Sequence, residues 1–128
     1  QKELDITSDT RTFVALLRNE VFSLVRALSR RDYAEAAAIV EGSGEEWTIR
    51  RFEETLAPYW EEHTEIRIDP AARSPSNTQV RQWPYVWEFT QILVDETGEG
   101  DWVLEGVIDI DKSREANRPV IGLRRIVG

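Results

Sequence analysis

The sequence predicts an α+β domain in which three N-terminal helices pack on a curved antiparallel sheet. Three observations lead there. Apolar residues recur with a period near 3.6 before residue 63 and with a period of 2 after it. The 128 residues suffice for one hydrophobic core and not for two. Helices first and strands after place the helices on one side of the sheet.

The elements follow in order. Residues 1–11 read as a linker from an upstream region, and 12–128 as one domain. The chain has no methionine, and its opening Gln1-Lys2-Glu3-Leu4-Asp5 reads as the continuation of a longer polypeptide. The first helix is expected over 12–29, where Phe13, Leu16, Leu17, Val21, Leu24, Val25 and Leu28 share a face. Ser8 or Thr10 is the candidate cap. Arg11, Arg18, Arg26 and Arg30 lie opposite, with Phe22 among them. A second helix is expected at about 32–41, capped by Asp32 with Glu35 three residues on and ended by Gly42 and Gly44. A third spans about 48–62 through Ile49, Phe52, Leu56, Tyr59 and Trp60, with Pro58 set to kink or shorten its last turn.

Strands are expected at Thr64–Asp69, Thr78–Gln82, Tyr85–Asp95, Trp102–Ile110 and Pro119–Val127. Pro70 to Asn77 reads as a loop, Glu96 to Asp101 as a hairpin turn, and Asp111 to Arg118 as a polar connection.

Composition narrows the function. Hydrophobic residues at 41% and charged residues at 31% fit a globular domain rather than a disordered tail. The net charge of -8 argues against a stand-alone nucleic-acid binder, which needs cations to neutralise phosphates. No apolar run has membrane-spanning length, and no signal peptide opens the chain, so no membrane partner and a cytoplasmic location are expected. With no cysteine and one histidine, thiolate zinc sites and multi-histidine metal sites are excluded within the chain. No metal and no cofactor are expected.

Individual residues carry the rest. His63 follows Glu61-Glu62 at a helix end, where a charge-stabilised histidine outweighs a catalytic one. The paired carboxylates read as solvated surface. Five tryptophans favour core and rim packing over base stacking, given the net charge. Trp83 is expected to be exposed, because Pro84 breaks the strand beside it. Arg73 sits in a loop shaped by Pro70 and Pro75, presented either to a partner's phosphate or carboxylate or to a carboxylate of its own domain. Arg18, Phe22 and Arg26 suggest an exposed phenylalanine among arginines, a surface suited to docking. A simpler alternative has Phe22 covered by the neighbouring strands.

Two resemblances add to this. The stretch Val25-Arg26-Ala27-Leu28-Ser29-Arg30-Arg31-Asp32-Tyr33-Ala34-Glu35-Ala36-Ala37 resembles the helix corner of the nuclear transport factor 2 superfamily, which implies a cone-shaped fold. A longer ordered set begins with Leu17-Arg18-Asn19-Glu20-Val21-Phe22 and continues through Ile66 to Pro75 and Thr78. It goes on with Val86-Trp87-Glu88, Gln91 to Asp95, Asp101 to Leu104, Asp109-Ile110-Asp111 and Arg118-Pro119-Val120. This set resembles a bacterial domain of unknown function that follows the core of certain DEAD/DEAH-box, superfamily-2 helicases. The resemblance implies placement: a non-catalytic C-terminal accessory domain of an ATP-dependent, RNA-directed helicase. It would dock on the helicase core in cis or on a protein partner, and meet RNA through the full-length protein. The chain itself has no phosphate-cradling Gly-x-x-x-x-Gly-Lys-Ser/Thr loop and no Asp-Glu-Ala-Asp/His box. The alternative is a small-molecule binder or enzyme with a pocket between helices and sheet, where Tyr59, His63, Glu88 and Asp95 supply the polar groups.

Overall fold

A computed structural model describes residues 7–41, 45–84 and 86–128. Gly42, Gly44, Tyr85 and the first six residues of the expected linker lie outside the described residues. Helix α1 (Thr10–Ser29) is followed by α2 (Tyr33–Ile39) and α3 (Ile49–Glu62). Strands β1 (Thr78–Gln82), β2 (Trp87–Leu93) and β3 (Trp102–Ile108) come next, then α4 (Ile110–Ala116) and β4 (Ile121–Val127). The strands form one sheet in the order β1-β2-β3-β4, each neighbour antiparallel. The α+β class is as the change of period requires.

Helix α1 starts two residues before its expected position. The cap is Asp9, not Ser8 or Thr10: its carboxylate accepts from the Thr12 N–H at 3.2 Å and the Thr12 hydroxyl at 2.9 Å. Asp32 caps α2 as expected, accepting from the Glu35 N–H at 3.2 Å. The Glu35 side chain does not close a reciprocal box; it pairs with Arg30. Thr48 caps α3, which runs on past Pro58 to Glu62.

Two of the expected segments differ in kind. Thr64–Asp69 forms no strand. Its backbone contact with the chain just after β2 is a single bond from the Arg67 N–H to the Val94 carbonyl. Ile66 is buried while Ile68 is 41% exposed, so the alternation is only half used. The polar connection at Asp111–Arg118 is largely helical. Asp109 caps α4 through the Lys112 N–H, and Asn117 ends it in the left-handed conformation at φ 56°. Ser113, fully buried, donates to the Asp109 carbonyl and accepts from the Val120 N–H, fastening α4 to the start of β4.

The core lies between helices and sheet. Phe13, Leu17, Leu24, Leu28, Phe52 and Leu56 from the helices meet Phe89, Leu93, Leu104, Ile108, Ile121 and Leu123 from the sheet, all at most 1% exposed. Trp47 donates its indole N–H to the Leu123 carbonyl at 2.7 Å, tying the segment before α3 to β4. A register shift at Glu105/Gly106 marks a bulge between β3 and β4, a feature that bends a sheet. No helix among the described residues is long and apolar enough to cross a membrane.

Candidate functional site

Arg18, Phe22 and Arg26 recur every four residues on α1, so they stand on one side of the helix. That side is not open, as an exposed docking phenylalanine would need. Phe22 is only 5% exposed. The loop before β1 covers it: the Arg73 guanidinium carbon lies 5.1 Å from the Phe22 ring centroid, and that of Arg26 lies 5.6 Å from it. The simpler reading of Phe22 as a packed residue is therefore the right one, with the loop rather than a strand as its cover. Such contacts are cation–π geometry.

The loop is built to hold Arg73 there. Asp69 accepts from the Ala72 N–H at 3.1 Å, and Asn77 donates to the Ala71 and Ala72 carbonyls. The Arg73 N–H donates to the Asp69 carbonyl at 3.1 Å. Ser74 caps a short 3-10 turn at Pro75–Asn77 that leads into β1. Arg67, not Arg73, forms the loop's ion pair with Asp69.

A second cluster gathers where α3 ends. The His63 Nδ1 lies 2.9 Å from a Glu96 carboxylate oxygen and 3.6 Å from Asp95, and its Nε2 lies 3.9 Å from Glu62. Glu96 also accepts from the Thr64 N–H at 3.0 Å. Asp95 is 2% exposed and accepts from the Thr97 N–H, the Thr97 hydroxyl and the Glu99 N–H. These bonds shape the β2–β3 turn, in which Gly98 adopts φ 84°. Tyr59 packs its ring on His63 and donates its hydroxyl to the Glu65 carbonyl at 2.6 Å. Burial, then the charges of Asp95, Glu96 and Glu65, hold the Tyr59 phenol far above its ordinary range. Its hydroxyl proton is engaged with the Glu65 carbonyl. His63, Asp95 and Glu96 each offer a ligand atom within 4.8 Å of one another. The His63 Nδ1 is already engaged with Glu96, so the cluster as folded is a hydrogen-bonded clamp.

Three of the four pocket candidates, Tyr59, His63 and Asp95, thus come together, and Glu88 does not. Glu88 accepts from Trp83, Arg81 and Arg124 near the β1–β2 connection. The Trp83 indole, then Arg124, hold its carboxyl below the usual range. Trp83 is 52% exposed, as Pro84 beside it requires. Glu96 went unnoticed in the sequence, because its partner His63 is distant along the chain and only hairpin geometry brings them together. The space between helices and sheet is filled with apolar side chains. A cleft of about 530 Å³ lies instead at the sheet's end, beside Trp87, Ile110 and Arg114.

The model of a family described as a domain of unknown function, DUF3516, matches residues 1–126. The chain belongs to that family. No curated protein and no solved structure matches it.

The clamp should give the stability of this chain a two-sided pH dependence. Its hydrogen bond to Glu96, against partial burial, raises the His63 pKa above 6.5. That stabilisation is complete below 6.5 and is lost as pH rises through the folded-state value. The same bond and the Thr64 N–H lower Glu96 from 4.5 to about 2. That contribution is complete above 4.5 and is lost as pH falls towards 2. The melting temperature should therefore fall on the alkaline side, as pH rises above about 6.5 and through the raised folded-state value, a loss assigned to His63 as the one histidine of the chain. His63→Gln should flatten that limb. A parent and variant with parallel profiles there would show that the clamp contributes nothing.

Proposed function

We propose that this chain is a non-catalytic accessory domain of an ATP-dependent, RNA-directed helicase, lying C-terminal to the motor and docking on it. The placement is drawn from the ordered resemblance that runs from Leu17 to Val120. The nuclear transport factor 2 likeness is one of element order, with three helices before the sheet, and adds no chemistry. One observation carries the non-catalytic part. The space between helices and sheet, where a small-molecule site of such a fold would lie, is closed by Phe13, Leu17, Phe89 and Leu104, each fully buried. The polar groups nearest to it are committed to their own neighbours: Tyr59 to Glu65, and Asp95 to Thr97 and Glu99. A site that hydrolyses or transfers needs groups free to meet a substrate.

The experiment compares two purified proteins. The isolated chain should neither bind nor hydrolyse ATP, since it lacks the phosphate-cradling loop. The full-length polypeptide should hydrolyse ATP, and proteolysis of the junction near residue 9 should be slower in it than in a form with the motor's docking face disrupted. ATP turnover by the isolated chain, or a full-length product with no ATPase activity, would overturn the reading.

A further inference from the structure

We propose that Arg26 and Arg73, drawn over the buried Phe22 ring, together with Arg18 one turn earlier on α1, form a docking site for an acidic peptide segment whose carboxylates pair with the three guanidinium groups. This deepens the accessory-domain reading and rests on it for the source of the segment, the helicase motor. Three observations converge. First, Arg26 and Arg73 are drawn over one ring, 5.6 Å and 5.1 Å from its centroid, although like charges repel. Second, among the described residues none of the three arginines has a carboxylate within ion-pairing distance. By contrast Arg30, Arg50, Arg51, Arg67, Arg81, Arg124 and Arg125 all do. Third, Arg18 Nε is the one buried side-chain polar atom among the described residues that has no hydrogen-bond partner. An unsatisfied buried N–H is costly, and such orphans call for an explanation. No protein hydrogen bond holds Nε in its present place, so the side chain can turn outward without losing one. A carboxylate received side-on by the guanidinium would satisfy it.

The chain carries a net charge of -8, and what sets these three arginines apart from Arg31, which among the described residues also has no carboxylate partner but lies over the Trp60 ring, is that two of them converge on one ring. They suit a short acidic segment better than RNA. Three arginines neutralise about three phosphates, and the remaining phosphates would meet a negative surface. A segment in cis needs no long-range attraction, because tethering supplies an effective concentration in the millimolar range. The ring beneath gives the guanidinium planes a fixed, low-dielectric floor, which strengthens charge-assisted bonds.

The test titrates the 128-residue chain with hexaglutamate and, separately, with hexauridylate, following arginine Nε–H signals by NMR. Hexaglutamate should move the Arg18, Arg26 and Arg73 signals with saturation at about 1 mM or tighter. Arg73→Glu should weaken that binding at least about tenfold, the range of a charge-assisted bidentate pair, in a domain that still folds cooperatively and whose melting temperature drops by no more than one lost cation–π contact accounts for. Arg30→Glu makes the same charge change at a residue already paired with Glu35, and should weaken it less than about twofold. Equal losses in the two variants would reduce the effect to net charge and overturn the site, as would the absence of saturable shifts. Hexauridylate binding tighter than hexaglutamate through the same arginines would overturn the acidic-peptide assignment in favour of RNA. The two levels of the proposal separate in the full-length protein. If Arg73→Glu abolishes peptide binding but leaves proteolysis of the motor–domain junction unchanged, the site stands and docking on the motor falls.

Discussion

Phe22→Ala should cost the domain about 3–5 kcal/mol, the range for truncating a buried phenylalanine to alanine. Phe22 is 5% exposed and belongs to the cluster of Leu17, Val21, Leu24 and Val25. Its removal leaves a cavity beneath the Asp69–Pro75 loop, which then loses its apolar floor. The ring also gives Arg26 and Arg73 their cation–π contacts, each worth roughly 0.5–1 kcal/mol at exposed sites. Against a total stability of about 5–15 kcal/mol, this is a large fraction. Urea unfolding with an unchanged slope would measure it. Phe22→Leu keeps most of the volume and should cost far less. A surface residue awaiting a partner predicts the opposite: truncation within about 0.5 kcal/mol of the parent. A loss under about 1 kcal/mol would therefore return Phe22 to the surface and remove the floor of the arginine site.

What was legible in the sequence, and what was not, follows from the range of each interaction. Helices α1 and α3 were readable because their apolar stripes repeat over several turns. Asp32 was readable as a cap because capping acts within three residues. Helix α4 escaped because, unlike the equally short α2, which buries Tyr33 and Ala36, its inward residue Ser113 is buried by hydrogen bonds rather than by apolar character. Its end signals were present all the same: Asp109 before it, Asn117 after it and Pro119 beyond. Thr64–Asp69 misled in the other direction. Alternation reports which side chains share a face, not whether a neighbouring strand lies alongside to complete a ladder.

The site divides the same way. The spacing of Arg18, Phe22 and Arg26 fixes them on one side of α1, and the two prolines around Arg73 mark a shaped loop. That Arg73 closes over Phe22 is a tertiary fact with no local signature. The helix period counted Phe22 with the arginines because it assumes one buried stripe. The loop's cover gives α1 a second one. The His63–Glu96 clamp is similar: each residue was visible as polar and near an element's end, and only the packing of α3's last turn against the β2–β3 hairpin makes them a pair.

Gly106→Ala should be the other strongly destabilising change, by about 1–3 kcal/mol or more, as overpacking in a filled core costs. A Cβ at position 106 would lie 2.3 Å from the Gly122 carbonyl oxygen and 2.5 Å from two ring carbons of Phe89. Gly106 faces Phe89 across the β2–β3 ladder and sits at the register shift between β3 and β4. The missing side chain lets the Phe89 ring lie across the strand and lets β4 approach at the bulge. The two obstacles differ in kind. A ring can be replaced by a smaller side chain, whereas the Gly122 oxygen belongs to backbone held in the sheet. The backbone contact should dominate. In a double-mutant cycle with Phe89→Leu, the second substitution should recover only a minor part of the Gly106→Ala loss. Restoration of near-parental stability in the Gly106→Ala/Phe89→Leu protein, beyond the cost of Phe89→Leu alone, would make the ring the decisive neighbour. A Gly106→Ala protein as stable as its parent would mean that the close approach of β3 and β4 at the bulge is not required for this sheet.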